Sequence, residues 1–256
     1  MKDPLFSKAN TISISIVSHL QGHLVKLLLQ DIKENCKENS IEILLTINLP
    51  ENLELDLIEY SFPIVITNNS KPKGFAENHN QAFTRAKGEY FCVLNPDIRI
   101  NENPFEHLLH LLEDKSIGLA APTVIGESGR LEDSMRKFPT PLKILGKVIG
   151  MSQVNDYEVG IEAIFPDWVA GMFMMFRYDM FKKLNGFDQK YFLYYEDVDL
   201  CARLRLGGHK VVVSPQSQII HYARRSSHHK LKYLIWHLSS MLQFFSSAVY
   251  WQLKLR

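Results

Sequence analysis

The spacing of apolar and polar residues predicts alternating strands and helices over the first half of the chain. Residues 11–18 alternate Ile with Ser or Thr, which indicates a strand, and apolar residues at helical spacing follow at 24–32. Further strands are predicted at 41–47, 63–67, 90–94 and 119–124, and further helices at 104–114 and at 75–87, the latter followed by a C-capping Gly88. This order indicates an α/β fold with a Rossmann-like, mainly parallel central sheet flanked by helices.

The second half of the chain is less regular. Residues 126–165 have weak periodicity and several Pro and Gly residues, which predicts a loop-rich and mobile insertion. Beyond it the pattern predicts a strand at 168–176, a helix at 177–184, a helix beginning near 196, and strands at 209–213 and 219–221. No linker pattern interrupts residues 1–222, so we assign them to one domain.

Residues 223–256 are interpreted as a separate basic, amphipathic helical segment. Its apolar stripe has the spacing of a helix face and comprises Leu231, Leu234, Ile235, Leu238, Leu242, Phe245 and Val249. After Asp199 the chain has no Asp or Glu, whereas nine Lys and Arg residues follow. The segment is either a helix that lies on an anionic membrane surface or a terminal helix docked on the domain's own core. The single sign of its charge favours the membrane.

Composition narrows the classes of partner and compartment. A net charge of +1 over 256 residues argues against a nucleic-acid partner, and an apolar content of 46% supports a substantial core. Three scattered cysteines indicate neither a disulfide framework nor a zinc site. No signal-peptide pattern is present near Met1, and no apolar run approaches the ~20 residues that span a bilayer. We therefore expect a cytoplasmic protein, peripheral on the inner face of the cell membrane.

Residues 186–201 mix four carboxylates with aromatic and aliphatic side chains. Glu196, Asp197 and Asp199 lie within four positions, and such acids repel one another unless a cation or a pKa shift intervenes. Acids are also common in the first turn of a helix, where they face the positive end of the helix dipole. The stretch alone supports a reactive cluster and an ordinary helix start equally.

Asn95, Pro96 and Asp97 follow a predicted strand, at the edge where parallel sheets bind their ligands. One carboxylate together with substrate phosphate oxygens is a common way to hold Mg²⁺ or Mn²⁺. The same residue types also form turns. His221 follows a later strand and would supply a nitrogen ligand if it lay beside Asp97, although a lone histidine is more often structural.

Six motifs, in order over residues 11–222, resemble those of family 2 glycosyltransferases. They are Gly74-Phe75-Ala76 with Asn78 and Asn80, Leu94-Asn95-Pro96-Asp97, Trp168-Val169-Ala170-Gly171, Gly186-Phe187-Asp188 with Phe192 and Tyr194, Glu196-Asp197-Val198-Asp199-Leu200-Cys201 with Arg203 and Leu204, and His221. The greatest similarity is to the bacterial rhamnosyltransferase-like group that builds O-antigen, the polysaccharide of lipopolysaccharide, and related surface polysaccharides. The resemblance implies a GT-A fold, a nucleotide-sugar donor, a Mg²⁺ or Mn²⁺ cofactor and inversion at the anomeric carbon.

The resemblance also implies roles for individual residues. Asp97 and His221 would hold the metal, Asp197 would be the general base, and Glu196 would be the alternative base or an orienting partner. The donor-binding residues would be Asn48, Gly74, Phe75, Asn80, Asn95 and Asp97. The acceptor-binding residues would be Trp168, Gly171 and Tyr195.

One position departs from the pattern of the family. The family commonly has an Asp that contacts the nucleotide base after the second strand, but Ile47 stands there, so Asn48 would make this contact instead. Our leading hypothesis is an inverting, metal-dependent enzyme that moves a sugar, L-rhamnose from dTDP-rhamnose, to a polyprenyl-diphosphate-linked saccharide. Ile47 motivates the alternative of a non-catalytic binding or assembly subunit. A nucleotidyltransferase is disfavoured because the sequence has no Gly-rich phosphate loop.

Overall fold

An eight-stranded sheet forms the centre of the protein in a computed structural model that describes residues 10–148, 156–222 and 231–255. The strands are β1 (Ile12–Ser18), β2 (Ile41–Ile47), β3 (Ile64–Asn68), β4 (Tyr90–Leu94), β5 (Ile98–Arg99), β6 (Ile117–Gly126), β7 (Met135–Arg136), β8 (Trp168–Val169), β9 (Phe173–Arg177) and β10 (Lys210–His221). The sheet order is β3-β2-β1-β4-β9-β6-β10-β5, and β7 pairs separately with β8. The β1, β2, β3 and β4 pairings and the β6–β10 pairing are parallel, whereas β9 and β5 run antiparallel to their neighbours.

Helices cover both faces of this sheet. They are α1 (Gly22–Asn35), α2 (Phe75–Phe83), α3 (Phe105–Glu113), α4 (Pro141–Val148), α5 (Tyr178–Lys183), α6 (Glu196–Leu206), α7 (Leu231–Ser246) and α8 (Ala248–Lys254). In β4 the side chains of Cys92 and Leu94 join the core beneath α1 and α3, and those of Phe91 and Val93 join the core beneath α2, α5 and α6. This alternation follows from the two-residue period of a strand. The predicted α/β architecture, with its mainly parallel sheet, is confirmed.

Several predicted elements have different bounds. The helix predicted at 75–87 ends at Phe83, and Gly88 does not cap it. Gly88 instead lies against β1, where an added Cβ would be 2.5 Å from the carbonyl oxygen of Thr11. The strand predicted at 168–176 is divided into β8 and β9, because a turn at residues 170–172 sends the chain from the small sheet into the main one. The region 126–165 is not loop throughout, since it contains β7 and α4, and its residues 149–155 lie outside the described residues.

The C-terminal helices pack on the α6 side of the sheet. Phe244 of α7 and Tyr250 of α8 are buried in the same core as Val198 and Leu200 of α6. Most of the apolar stripe predicted for this segment does not pack on that core. Its first five members are exposed: Leu231, Leu234, Ile235, Leu238 and Leu242. The predicted domain boundary falls after residue 222, where a stretch outside the described residues begins. The basic residues of 223–230 lie within that stretch. None of the described helices is long and apolar enough to cross a bilayer.

Candidate active site

Strand pairing brings Asp97 and His221 together. Asp97 directly precedes β5, which pairs antiparallel with the end of β10 so that His221 lies opposite Ile98. The Tyr222 amide donates a hydrogen bond of 2.8 Å to the carbonyl oxygen of Asp97, which extends this pairing. As a result, His221 Nε2 lies 3.4 Å from Asp97 Oδ2. The two residues predicted to form a metal site are therefore neighbours, although 124 positions separate them in the sequence.

A third residue, Glu132, completes this cluster. Its Oε2 lies 2.7 Å from His221 Nδ1, so the imidazole is held between two carboxylates. Burial alone would lower the pKa of His221, but the hydrogen bonds and charges of Asp97 and Glu132 outweigh burial and raise this pKa to about 9. Gly126 leaves room for the carboxylate, because an added Cβ there would lie 3.1 Å from Glu132 Oε1. The sequence motifs do not predict Glu132 as a site residue, because it lies in the irregular insertion.

The chemistry of this cluster fits a divalent cation. Asp97 Oδ1 is buried and has no hydrogen-bond partner among the described residues, so an oxygen ligand is available at this point. Histidines that bind protein metals through one ring nitrogen commonly have the other ring nitrogen held by a carboxylate. Two protein ligands would leave the remaining positions to donor phosphates and water, as Mg²⁺ prefers. Within the described residues no group of three or more His, Cys, Asp or Glu side chains is placed to hold a metal ion by itself.

Asp197 is held rigidly at the start of α6. The Val198 amide donates to its Oδ1 at 2.8 Å, and the Gly171 amide donates to its Oδ2 at 3.0 Å. Burial raises the pKa of Asp197, while the two amides and the charge of Arg136 oppose the shift. An added Cβ at Gly171 would meet Asp197 Cβ at an ordinary contact distance of 3.7 Å, but would lie only 3.1 Å from the ring of Phe75.

Glu196 differs from its neighbour in having little support. Its Oε2 is buried without a hydrogen-bond partner among the described residues. Burial raises the pKa of Glu196 well above its usual range, and the charge of Asp197 raises it further. Asp197 therefore ionises first, which favours Asp197 over Glu196 as the base of the pair. A protonated Glu196 would be a hydrogen-bond donor.

A cavity of about 590 Å³ is lined by both acids, Glu196 and Asp197, and by His221, whereas Asp97 and Glu132 lie beside His221 and do not line the cavity. Its wall contains Asp197, Glu196, Gly171, Tyr195, Trp168, Asn95, Phe75 and His221, all of which were predicted as site residues. It also contains residues that were not predicted: Arg136, Lys137 and Lys143 from the insertion, and His237 from α7. These segments carry no motif and reach the cavity only through tertiary packing, so the sequence offered no local signal for them.

Trp168 is more enclosed than expected for a sugar-stacking residue. Its side chain is buried, and its Nε1 donates to the carbonyl oxygen of Lys137 at 3.1 Å. The guanidinium of Arg136 lies over the ring, 5.2 Å from its centroid. This cation–π contact occupies one face of the indole and holds Arg136 at the cavity.

A family model described as "Glycosyltransferase like family" matches residues 27–234, which is most of the chain. The protein belongs to this glycosyltransferase family.

Relatives of this glycosyltransferase include enzymes named for rhamnose transfer. Rhamnosyltransferase WbbL of Escherichia coli K12 is 31% identical, over 95% of this chain and 90% of the relative. N-acetylglucosaminyl-diphospho-decaprenol L-rhamnosyltransferase of Mycobacterium tuberculosis H37Rv is 26% identical over 57% of this chain and 54% of the relative. The recognition of a glycosyltransferase related to bacterial rhamnosyltransferases is thus confirmed.

Solved structures of GT-A glycosyltransferases share the fold. GalNAc-T7 with UDP, GalNAc and Mn²⁺ superposes with a TM-score of 0.67 at 16% identity, over 86% of this chain and 45% of that chain. The mannosyltransferase PcManGT of Pyrobaculum calidifontis, in complex with GDP-Man and Mn²⁺, gives a TM-score of 0.59 at 12% identity, over 91% of this chain and 64% of that chain. The GT-A fold is confirmed.

Several predicted donor-binding residues of this glycosyltransferase bind other parts of the protein. Asn48 uses its whole amide: Nδ2 donates to Lys73 O and contacts His19 Nδ1, and Oδ1 accepts from Asn69 Nδ2 and from the Lys73 amide. Asn69 also donates to Asn78 Oδ1 at 2.7 Å. For Asn48 to contact a nucleotide base, one of these bonds would have to be exchanged. Its predicted role stays a prediction.

The Gly74-Phe75-Ala76 and Gly186-Phe187-Asp188 motifs are fastened to each other. Asn80 Nδ2 donates to Phe187 O at 2.8 Å, and the Phe187 amide donates to Asn80 Oδ1 at 2.9 Å. Gly186 has φ +65°, and an added Cβ would lie 2.3 Å from Asn80 Oδ1. At Gly74 an added Cβ would lie 2.4 Å from the carbonyl oxygen of Phe192. We call Asn48, Asn69, Asn78, Asn80, Gly74 and Gly186 the amide clamp, because they lock α2 and its preceding loop to neighbouring backbone.

Proposed function

We propose that this glycosyltransferase moves L-rhamnose from dTDP-rhamnose to a polyprenyl-diphosphate-linked saccharide, with inversion, in the biosynthesis of a surface polysaccharide such as the O-antigen of lipopolysaccharide. The observation that carries the reaction is the position of Asp197. Its carboxylate is fixed by two backbone amides in a cavity that His221 also lines. The names of the E. coli and M. tuberculosis relatives support the choice of donor sugar and of a lipid-linked acceptor.

Asp197 would act as the general base of a direct displacement. It takes the proton of the acceptor hydroxyl while that oxygen forms a bond to the anomeric carbon. The bond from this carbon to the donor phosphate oxygen breaks, and the nucleoside diphosphate leaves with the electron pair. Because burial raises the pKa of Asp197 and the amides of Val198 and Gly171 limit the shift, the group is more basic than an exposed Asp yet remains ionisable.

The leaving diphosphate would lie at the Asp97 side of the site. Asp97 and His221 would hold Mg²⁺ or Mn²⁺ there, and the cation would supply charge stabilisation for the departing phosphate. Glu132 fixes the ring of His221 through Nδ1, which leaves Nε2 directed at Asp97. Asn95, which lines the cavity two positions before Asp97, would contact the donor.

Calorimetric titration with nucleotide sugars tests the enzyme against a non-catalytic subunit. We expect dTDP-rhamnose to bind in the presence of Mn²⁺ and to bind more weakly without it, and we expect Asp97→Ala to lose this difference. The titration would be repeated with UDP- and GDP-sugars to test the choice of donor. A protein that binds none of these donors, with or without Mn²⁺, would be the non-catalytic alternative.

We further propose that the exposed apolar face of α7 lies on an anionic bilayer. Leu231, Leu234 and Leu238 are each more than two-fifths exposed, and Lys232 lies beside them on the same helix. Burial of leucines in the interface and attraction of basic residues to anionic lipids would act together.

Sedimentation with vesicles tests the membrane contact. The protein should sediment with phosphatidylglycerol-containing vesicles and less with phosphatidylcholine vesicles. The double variant Leu234→Asp/Leu238→Asp should lose sedimentation, whereas Leu57→Asp/Ile58→Asp, an equal change at an exposed apolar pair elsewhere, should keep it. Equal sedimentation of both double variants would assign the binding to another surface.

A further inference from the structure

We propose that His237 of α7 is a binding residue for a hydroxyl group of the saccharide acceptor. The proposal rests on the proposed glycosyl transfer and extends it to a residue outside every family motif noted in the sequence. His237 lines the same cavity as Asp197 and Glu196, and its side chain is exposed to that space. Among the described residues the imidazole makes ring contacts and no hydrogen bond, so its nitrogens are available to a ligand.

The inward face of α7 is fixed to the loop that precedes the catalytic helix. Ser240 Oγ donates to Leu193 O at 2.9 Å, and the ring of Trp236 packs on Phe192 with centroids 4.7 Å apart. Phe244, fully buried, packs against Tyr195 at 5.7 Å. These contacts recur every four residues along one helix face, so they set the rotation of α7 about its axis. His237 is directed at the cavity as a consequence of this rotation.

The loop itself is strained next to His237. Tyr194 and Tyr195 are consecutive non-glycine residues with φ of 70° and 68°, in the left-handed region. Such conformations are unfavourable and persist where surrounding contacts impose them, often at functional sites. The His237 ring lies edge-on to both tyrosines, with centroids 5.3 Å and 5.5 Å away. The strained pair thus lies directly before Glu196, where α6 begins, with both tyrosine rings against His237.

The charge state of His237 suits a sugar hydroxyl better than a phosphate. Although His237 faces the cavity, partial loss of its hydration there lowers its pKa, and the positive charge of Arg136 lowers it further. The imidazole is therefore neutral at physiological pH and offers one donor and one acceptor, as a hydroxyl requires. A phosphate would be better served by the neighbouring cations of the insertion, Arg136 and Lys137, which line the same cavity.

The test uses the full-length protein, dTDP-rhamnose and a soluble acceptor probe, N-acetylglucosaminyl diphosphate esterified to a short alkyl chain. His237→Phe keeps an aromatic ring against the tyrosines and removes both nitrogens. We expect it to raise the KM for the probe about tenfold, the loss of one hydrogen bond, with the KM for dTDP-rhamnose unchanged. His237→Gln, which can again donate and accept, should recover part of the loss. His107→Phe, at an exposed position of α3, is the matched control and should leave both KM values unchanged.

A second measurement separates binding from folding. The imidazole nitrogen signals of His237, identified in NMR spectra by their absence from His237→Phe, should shift on addition of the probe and stay in place with dTDP-rhamnose alone. Two results would overturn the role of His237: an unchanged KM for the probe in His237→Phe, or His237 nitrogen signals that do not shift with the probe although wild type transfers sugar to it. A wild-type protein that neither binds nor uses donor and probe would instead overturn the proposed function on which this role rests.

Discussion

The amide clamp and the cavity that Asp197 lines both contain residues of the family motifs, but their polar atoms are used in opposite ways. In the clamp, Asn48 and Asn80 make hydrogen bonds to protein with both ends of their amides. In and beside the cavity, Glu196 Oε2 and Asp97 Oδ1 are buried without a hydrogen-bond partner among the described residues. A buried polar atom without a partner is costly unless a ligand completes it. Under the proposed function, this difference separates residues that hold the fold of the site from residues whose polar atoms are left for substrates or metal.

The largest effect should follow from Asp197→Asn. The amide is the same size and its oxygen can still accept from the Gly171 amide, but it cannot take a proton at neutral pH. We expect transfer to fall by about 10²–10⁴-fold with little change in melting temperature. Steady-state transfer assays and thermal unfolding measure the two quantities.

Asp179→Asn, an exposed change on α5, should retain full activity and serves as the control. If Asp197→Asn keeps more than a tenth of wild-type turnover while Glu196→Gln does not, the roles of the two acids must be exchanged.

The next effect concerns Glu132, which contacts His221 of the cavity wall although no motif contains Glu132. Glu132→Ala removes the group that fixes His221 Nδ1, and we expect Mn²⁺ affinity to fall about 10–100-fold. Glu132→Gln keeps a hydrogen-bond acceptor and should lose less. Mn²⁺ titration followed by electron paramagnetic resonance, in the presence of dTDP, reads the affinity without requiring turnover.

Glu106→Gln, at an exposed position in the first turn of α3, is the matched control for the loss of one carboxylate. Equal Mn²⁺ affinity in wild type and Glu132→Ala would show that His221 does not depend on Glu132 for its orientation.

The two regions also differ in how far the sequence could predict them. Strands β2 and β4 have the predicted bounds to within a residue, because a short apolar run between polar turns is a local signal. The motifs correctly indicated the family and the fold. They could not show that Asn80 binds the backbone of Phe187, since this contact spans 107 residues and exists only after folding.

The unpredicted part of the site has a common physical origin. Glu132 and Arg136 come from an irregular segment, and His237 comes from a helix whose exposed and buried faces are both rich in apolar residues. Hydrophobic periodicity does not distinguish which face of α7 docks, and the stripe predicted from it is largely exposed. Only the fit of Ser240 and Phe244 against residues 193–195 decides it.

A smaller effect, on stability alone, is expected from Asn80→Ala in the clamp. The change leaves the amide and carbonyl of buried Phe187 without their partners, which should destabilise the fold by about 2 kcal/mol. The KM for dTDP-rhamnose should remain within about twofold of wild type at temperatures where the variant is folded. Urea unfolding and steady-state kinetics measure the two effects.

Asn52→Ala, which removes an exposed amide, should change neither quantity. A raised donor KM with unchanged stability would move Asn80 from the clamp to the donor site, as the family resemblance implies.

An effect of about the same size, but present only as a pH dependence, is expected from His79, which lies in α2 behind the clamp. Its Nδ1 is 2.8 Å from Ser15 Oγ, its Nε2 has no partner among the described residues, and burial lowers its pKa to about 3. An unfolded His has a pKa of about 6.5, so below this pH the unfolded chain binds a proton that folded His79 does not bind. The free energy of unfolding therefore falls as pH decreases. Between pH 7 and pH 5 this linkage should cost about 2 kcal/mol.

Comparing wild type with His79→Asn isolates this contribution, because the carboxylates titrate in both. The variant should lose about 2 kcal/mol less between pH 7 and pH 5 in urea unfolding, and His107→Asn, on the surface of α3, should behave as wild type. Adding dTDP-rhamnose should stabilise both proteins equally at each pH, since the His79 ring packs against the rings of Phe75 and Phe187 and His79 itself does not line the cavity. If the stabilisation by the donor depended on His79, an atom without a partner in the clamp region would also bind ligand. The distinction between clamp and cavity would then be wrong.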